Sequence, residues 1–195
     1  KPWDVVVGHG FSTLDQARPG NPAVLVSTAK QMSDLLSARN PEVKFYILAT
    51  WSRADMTYPD GTPWHGKPIY QMGKDVHAGY ELAAKGAPRI AGVIPLGLAW
   101  NAAIETGIAD DNPYDDTGAS KINLWAYDSY HASSFGYYLE ALMVFGQVTG
   151  RDPMSLATID RVAEDLGISP VQAQALQKLA HDTLATRGTT FTAMK

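Results

Sequence analysis

The sequence predicts an α/β fold in which a parallel sheet lies between layers of helices. Three short apolar runs have the composition of buried strands, and a segment with apolar residues at helical spacing follows each of them. The predicted strands span residues 5–8, 44–50 and 89–96, and the predicted helices span 23–38, 68–85 and 98–106. Alternating strands and helices favour parallel pairing, because each helix returns the chain to the same end of the sheet. We therefore predict a three-layer α/β/α architecture.

Individual residues support the order of these elements. Three consecutive valines, residues 5–7, end at Gly8, which predicts a buried first strand. Pro22 suits the first turn of the next helix, and Asn40-Pro41 ends that helix. Three strands make a narrow sheet for this much helix, so we expect that one or more strands belong ahead of this chain.

The C-terminal part of the sequence is mainly helical. A helix is predicted over 134–148, and two more follow it. The last begins with Ser169, and Gln172 stands where a capping box requires it. We divide the chain into an α/β domain, residues 1–153, and a helical extension, residues 154–195, packed on the same domain.

The overall composition excludes several classes of function. The net charge is −4 and no basic stripe is present, which argues against nucleic acid and anionic membrane surfaces as partners. No apolar run approaches the roughly 18 residues of a membrane helix. The absence of cysteine excludes disulfides, thiolate metal sites and cysteine nucleophiles. From the first residues, Lys1-Pro2-Trp3-Asp4, we expect a periplasmic or secreted protein, and we leave a cytoplasmic location open.

The motif with the clearest chemistry is Asp128-Ser129-Tyr130-His131, just ahead of the helix predicted over 134–148. An Asp and a His three residues apart can turn both side chains toward one point. There the carboxylate fixes the tautomer of the imidazole, and His131 acts as a general base. The alternative is an Asp that caps the helix and a histidine on the surface. A catalytic pair also needs a nucleophile, which this chain does not obviously supply.

Five segments, in the right order, resemble the SGNH (GDSL-type) serine hydrolases, and in particular an uncharacterised bacterial branch of that superfamily. They are WDVVV (3–7), STL (12–14), ATWSR (49–53), IPLGLAW (94–100) and DSYHASSFGYYLEA (128–141). The last segment resembles the "DGxHPSxxGxYLAA" stretch that closes the catalytic domain in that branch. The resemblance covers roughly residues 1–153.

The resemblance implies a flavodoxin-like fold and a serine esterase that acts on a small or sugar-linked ester, without a metal or an organic cofactor. His131 is then the general base, and Asp128 orients it. The family's nucleophilic serine lies in a turn ahead of the first segment matched here. We therefore expect the nucleophile upstream of Lys1, on an N-terminal segment that is present as part of the protein or as a separate chain. The 195 residues alone are expected to be inactive.

The turn after the first strand contains further candidate residues. Ser12 follows a glycine turn, where an exposed nucleophile fits the order of a hydrolase triad. The resemblance instead places Ser12 on the pocket wall, and a serine that begins a helix at Thr13 is a third interpretation. The backbone N–H groups of Gly8 and Gly10 either bind an oxyanion or simply belong to a turn that ends the strand.

The end of the second strand contains two more candidates, Trp51 and Arg53, at the edge where open α/β sheets bind ligands. Trp51 is expected to line the pocket, because a long irregular stretch follows it. Arg53 either holds a substrate carboxylate or pairs with Asp55. The acidic loop over 110–118 lacks the ligand spacing of a calcium loop and is expected to be solvated.

The alternative function belongs to another class, a non-catalytic binding module or inactive fragment on a hydrolase scaffold. Trp51, Trp64 and Trp100, with neighbouring tyrosines, would then form a surface on which a carbohydrate stacks. A covalent serine probe distinguishes the two functions, because only the enzyme has a reactive serine.

Overall fold

A computed structural model describes residues 2–116, 118, 120–156 and 160–192 of the chain. The strands in these residues are β1 (Val5–Gly8), β2 (Lys44–Leu48) and β3 (Ile90–Ile94). The α-helices are α1 (Ala23–Arg39), α2 (Tyr70–Gly86), α3 (Leu96–Glu105), α4 (Ser134–Thr149), α5 (Arg161–Asp165) and α6 (Pro170–Thr186). Short 3₁₀ helices span Ala54–Met56 and Pro153–Leu156. Within the described ranges, none of the helices combines the length and hydropathy that crossing a bilayer requires.

The three strands form one parallel sheet in the order β1-β2-β3. Val7 of β1 pairs with Tyr46 of β2, and Ile47 of β2 pairs with Val93 of β3. Helices α1 and α2 pack on one face of the sheet, and α3, α4 and α6 pack on the other. The α/β class, the parallel sheet and the three layers predicted from the sequence are therefore confirmed.

Alternate side chains of β2 enter two hydrophobic cores on opposite faces of the sheet. Phe45 and Ile47 belong to the core beneath α1 and α2. Tyr46 and Leu48 belong to the core beneath α3, α4 and α6, which also contains the fully buried Trp100. Because β2 is covered on both faces, its carboxyl end is a firm support for the loop that follows it.

The prediction that the first strand is buried is wrong. β1 lies at the edge of the sheet, and Val5 and Val7 remain 37% and 36% exposed. The physical reason is that the core on their face contains side chains of β2 and β3 but, among the described residues, none of β1. A run of valines has the same composition in an edge strand as in a central strand, so the pattern alone does not separate the two.

The C-terminal helices share a core with the α/β part of the chain. Leu176 of α6 is fully buried in the core that α4 also lines. The predicted capping box is present, since Ser169 Oγ accepts the Gln172 N–H and the Gln172 side chain accepts the Ser169 N–H. Tyr138 of α4 donates a hydrogen bond of 2.7 Å to Asp160, just ahead of α5. These contacts attach the last two helices to α4.

The start of α3 lies unusually close to the end of β2. The helix begins at Leu96, two residues earlier than the sequence pattern predicts. Gly97 permits this contact, because a Cβ atom at that position would lie 2.3 Å from the carbonyl oxygen of Thr50. Ala49 holds the same junction, with its N–H donating to Ile94 and its carbonyl accepting the Gly97 N–H, both at 3.0 Å. The junction positions the segment that follows β2.

We expect Gly97→Ala to destabilise the fold by about 1–3 kcal/mol, because the added methyl group meets backbone rather than a movable side chain. Urea denaturation followed by circular dichroism measures the change in the free energy of unfolding. Gly86→Ala is the matched control, since its Cβ would meet only a Val26 methyl group, at 3.5 Å, and alanine favours the helix. Equal free energies of unfolding in the two variants would contradict the packing argument.

Candidate active site

A pocket of about 370 Å³ lies at the carboxyl ends of β1 and β2. Three parts of the chain line it: the turn after β1, the segment after β2, and α4 with the loop before it. The lining residues are His9, Gly10, Phe11, Ser12, Thr50, Trp51, Arg53, Tyr130, His131, Tyr137 and Glu140. This edge of an open parallel sheet is where ligands bind in such folds. The pocket therefore brings together most of the candidate residues from the sequence.

Asp128 and His131 form the predicted pair. The Asp128 Oδ2 atom lies 2.5 Å from His131 Nδ1, and Oδ1 accepts the N–H groups of Tyr130 and His131 at 3.1 and 2.9 Å. The hydrogen bond to the imidazole is the main cause that lowers the pKa of Asp128 to about 2. Because the ionised carboxylate can only accept a hydrogen bond, a neutral imidazole carries its proton on Nδ1 and its lone pair on Nε2.

The position of His131 makes that lone pair available to the pocket. His131 lines the pocket, and Nε2 has no hydrogen-bond partner among the residues that the structure describes. The alternative was a capping Asp128 and a histidine on the surface; His131 is indeed exposed, with 56% of its side chain accessible, but Asp128 does not cap the helix. Ser133 caps α4, and its hydroxyl accepts the Gly136 N–H at 3.4 Å. Asp128 is thus left to bind the histidine.

Hydrogen bonds hold the loop before α4 against the segment after β2. Trp51 Nε1 donates to the carbonyl of Tyr130 at 3.0 Å. The N–H groups of Ala54 and Asp55 both donate to the carbonyl of Ser129, at 3.1 and 3.3 Å. The two carbonyl groups belong to the residues between Asp128 and His131, so these bonds set the shape of the turn that contains the pair.

The same loop contains a strained residue and tight packing on either side of it. Ser129 has φ of +57°, which costs a residue with a side chain roughly 1–2 kcal/mol. Before it, the buried Trp125 donates from Nε1 to the Ser52 carbonyl at 2.9 Å. After it, a Cβ atom at Gly136 would lie 2.5 Å from the Leu124 carbonyl. This packing and hydrogen bonding keep the strained turn in place.

Arg53 pairs with Asp55, which is one of the two alternatives left open by the sequence. Its Nε and Nη2 atoms bind the two carboxylate oxygens at 3.0 and 2.5 Å. Nη1 donates to Ser12 Oγ at 3.0 Å, and the guanidinium lies 3.6 Å over the ring of Tyr130. Asp55 therefore neutralises the charge of Arg53. Through Asp55, Ser12 and Tyr130, the Arg53 side chain contacts all three parts of the chain that form the pocket.

Ser12 and Gly10 line the pocket with their polar groups already bound. Ser12 Oγ accepts the hydrogen bond from Arg53, and no hydrogen bond joins it to His131 in the described part of the chain. The Gly10 N–H donates to Tyr80 Oη at 2.7 Å. The Gly10 N–H group is therefore occupied in this structure, and its role as an oxyanion donor stays a prediction.

Gly8 ends β1 as the sequence predicts, whereas Thr13 differs from its predicted place. Gly8 is the last residue of β1, and the space beside its Cα is filled by the ring of Phe45, 3.5 Å from a Cβ atom built there. No helix begins at Thr13, because the chain makes a turn in which the Leu14 N–H donates to the Phe11 carbonyl at 2.8 Å. Gly8 is not among the residues that line the pocket.

The tryptophans divide between the pocket and the core. Trp51 lines the pocket and stacks on Trp100, with ring centroids 4.9 Å apart, while Tyr137 meets it edge-on at 6.4 Å. Trp100 and Trp64 are only 0% and 3% exposed. Two of the three tryptophans predicted to form a stacking surface are therefore buried, whereas Trp51 lines the pocket.

Tyr130, Tyr137 and Glu140 are among the lining residues that carry no predicted role. Tyr137 and Glu140 lie three residues apart on one face of α4, and the helix begins just after His131, so helical spacing was the signal that could have found them. The Glu140 carboxyl is half-buried. Burial raises its pKa, an effect that the nearby His9 partly offsets.

Polar clusters elsewhere in the structure lie away from the pocket lining. His181 contacts Asp152 at 2.8 Å, and His77 contacts Glu81 at 3.3 Å. Asp110, expected in a solvated loop, is buried. Within the described ranges, no group of three or more His, Cys, Asp or Glu side chains is arranged to hold a metal ion.

Comparisons with known proteins bear on the fold. No protein-family model matches the chain, and no curated protein matches it significantly. Among solved structures, it is similar to a DUF4886 family protein from Bacteroides uniformis, with a TM-score of 0.69 and 19% identity. The similarity shows a shared fold. It covers 97% of this chain and 65% of the other, so the chain spans about two thirds of the structure it matches.

We expect the Asp128 carboxyl to titrate with a pKa of about 2, and to move up toward 3.8 in His131→Ala, which removes the main hydrogen bond. The lowered pKa stabilises the fold above the ordinary pKa of Asp, and this stability is lost as the pH falls toward 2. Carboxyl ¹³C NMR measures the titration. Asp15 is the internal control. Its pKa is also lowered, because hydrogen bonds from Arg18 and Ala17 outweigh desolvation by burial, and His131→Ala should leave this pKa unchanged. An unchanged Asp128 titration would show that the pair does not form in solution.

Proposed function

We propose that this protein is a serine-type carboxylic ester hydrolase of the SGNH type, acting on a small or sugar-linked ester. The observation that carries the proposal is the 2.5 Å contact between Asp128 and His131 Nδ1, with Nε2 left to a pocket at the carboxyl edge of the sheet. An imidazole oriented by a carboxylate in this way is suited to general-base catalysis. The five segments that resemble this superfamily support the same reaction.

The geometry supports a reaction in two steps. In the first, a serine hydroxyl attacks the ester carbonyl carbon and gives its proton to His131 Nε2, while the electron pair of the C=O bond moves to oxygen. The tetrahedral intermediate collapses, and the leaving alkoxide takes the proton from Nε2. In the second, water attacks the acyl-enzyme and the same proton transfers repeat. Asp128 stabilises the imidazolium throughout.

The nucleophile is proposed to lie on a segment outside these 195 residues. Ser12 accepts a hydrogen bond from Arg53 and does not bind His131, and the Gly10 N–H is bound by Tyr80. Both the serine and the oxyanion donors are therefore assigned to the same external segment. About a third of the similar solved structure lies outside the match, so at least one protein of this fold has further chain.

We expect the 195 residues alone to leave a p-nitrophenyl ester unchanged, and a longer protein that includes the preceding segment to hydrolyse it. In the longer protein, His131→Ala should lower kcat by about a thousandfold or more, since the general base is lost. His181→Ala is the matched control, because His181 also contacts an Asp at 2.8 Å but lies outside the pocket lining. Unchanged turnover in His131→Ala would overturn the assignment.

A fluorophosphonate probe, with mass spectrometry of the labelled peptide, identifies the serine. We expect label on a serine of the preceding segment and none on Ser12, so Ser12→Ala should keep most of the activity. Label on Ser12 would instead place the triad within these 195 residues. Absence of label from the longer protein would favour the non-catalytic binding module over the hydrolase.

A further inference from the structure

Glu140 contributes a carboxyl group to the candidate active site that the structure leaves unpaired. Glu140 lies on α4 and lines the pocket. Its carboxyl is half-buried and has no hydrogen bond or ion pair within the described ranges. The nearby His9 also lines the pocket, but no ion pair joins it to Glu140 in those ranges. Removing a carboxylate from water is costly unless a positively charged group or a hydrogen-bond donor pairs with it, so the carboxyl of Glu140 lacks a partner.

The charged groups of the site leave an excess of negative charge. Arg53 Nε donates to the Asp55 carboxylate at 3.0 Å, so these two charges cancel. Asp128 keeps its negative charge beside the neutral imidazole of His131. The carboxylate of Glu140 adds a second negative charge at the pocket wall. Since no cation among these groups balances the two carboxylates, the pocket favours a positively charged ligand.

Aromatic rings share the pocket with Glu140. Tyr137 lies about one turn before it on the same face of α4 and is 48% exposed. Trp51 meets Tyr137 edge-on, with ring centroids 6.4 Å apart, and the half-exposed Phe11 lines the same pocket. A cation is attracted to the π electrons of an aromatic ring within about 6 Å of the ring centroid. A carboxylate combined with aromatic rings is therefore suited to an ammonium group.

The Thr50 hydroxyl is a second unpaired polar group in the lining. Thr50 is 6% exposed, and its Oγ1 atom is buried without a hydrogen-bond partner in the part of the chain that the structure describes. Buried polar groups nearly always have partners, so an unpaired one in a pocket wall indicates a site for a polar ligand. A neutral hydroxyl on the ligand would donate to the Glu140 carboxylate but leave its charge unbalanced. A protonated amine both donates to the carboxylate and neutralises it.

We propose that Glu140 is a specificity-determining residue whose carboxylate binds a protonated amine of the ligand, in a subsite completed by the rings of Trp51 and Tyr137. The inference deepens the proposed function and rests on it for the statement that the ligand is an ester. The substrate class is then an ester that carries an ammonium group in its acyl or its alcohol part. His131 and Asp128 act on the ester carbonyl, and Glu140 contributes to binding and not to proton transfer.

Three small ligands of similar shape test the preference for charge: benzylammonium, benzyl alcohol and phenylacetate, which are positive, neutral and negative. Each is titrated into the 195-residue chain at neutral pH and followed by ¹H–¹⁵N NMR. The indole N–H of Trp51, which donates to the Tyr130 carbonyl at 3.0 Å, reports on the pocket. The indole N–H of Trp64, which donates to Asp75 at 2.9 Å outside the lining, is the internal control. We expect benzylammonium to bind at least about tenfold more tightly than benzyl alcohol, and phenylacetate to bind most weakly.

Glu140→Gln removes the charge and keeps the size of the side chain. It should reduce the difference in affinity between benzylammonium and benzyl alcohol to about twofold or less, because an amide does not attract a cation as a carboxylate does. Glu42→Gln is the matched control, since it changes the net charge equally at an exposed position outside the pocket lining. This control should keep the full difference. The comparison of the three ligands in the wild-type chain does not depend on the stability of either variant.

The outcomes separate the subsite from the chemistry. Equal dissociation constants for benzylammonium and benzyl alcohol, tighter binding of phenylacetate, or no change at Trp51 with any of the ligands overturns the subsite. A preference for benzylammonium that persists in Glu140→Gln overturns the assignment to Glu140. The expected preference, found together with a longer protein that hydrolyses no ester, supports the subsite and overturns the proposed function alone. Ester hydrolysis by the longer protein without the preference supports the proposed function and overturns the subsite alone.

Discussion

The candidate site depends on the attachment of the loop before α4 to the segment after β2. Trp51 and the N–H groups of Ala54 and Asp55 bind the carbonyls of the two residues between Asp128 and His131. Because the end of β2 is covered on both faces, this attachment transmits the rigidity of the sheet to a turn that is itself strained. The imidazole is thereby oriented by the backbone as well as by its carboxylate.

The same attachment explains how charge is distributed in the pocket. The carboxylate of Asp128 is held by His131, and the guanidinium of Arg53 is held by Asp55 while it covers Tyr130. Polar groups of the pocket that have no hydrogen-bond partner in the described residues include His131 Nε2, the Glu140 carboxyl and the buried Thr50 hydroxyl. A ligand in the pocket therefore meets polar groups that the protein has not already bound.

The sequence predicted those features that depend on neighbouring residues. The strand and helix pattern, the capping box at Ser169 and the Asp128–His131 pair all arise within a few positions of the chain. The partners of the pocket wall could not be predicted, because they lie far apart: Trp51 binds a carbonyl 79 residues away, and Arg53 binds a hydroxyl 41 residues away. Such contacts follow from tertiary packing, which no local pattern encodes.

The error at β1 shows what the composition of a strand does and does not determine. The valines of β1 have the composition of a strand covered on both faces, as the sequence predicts, yet they lie at an open edge. Composition shows that a segment suits an extended, apolar environment, whereas the number of neighbours that cover it is set by its place in the sheet. The same separation applies at the pocket. The contact between Asp128 and His131 is local, but the surroundings of His131 Nε2 come from elements far apart in the chain.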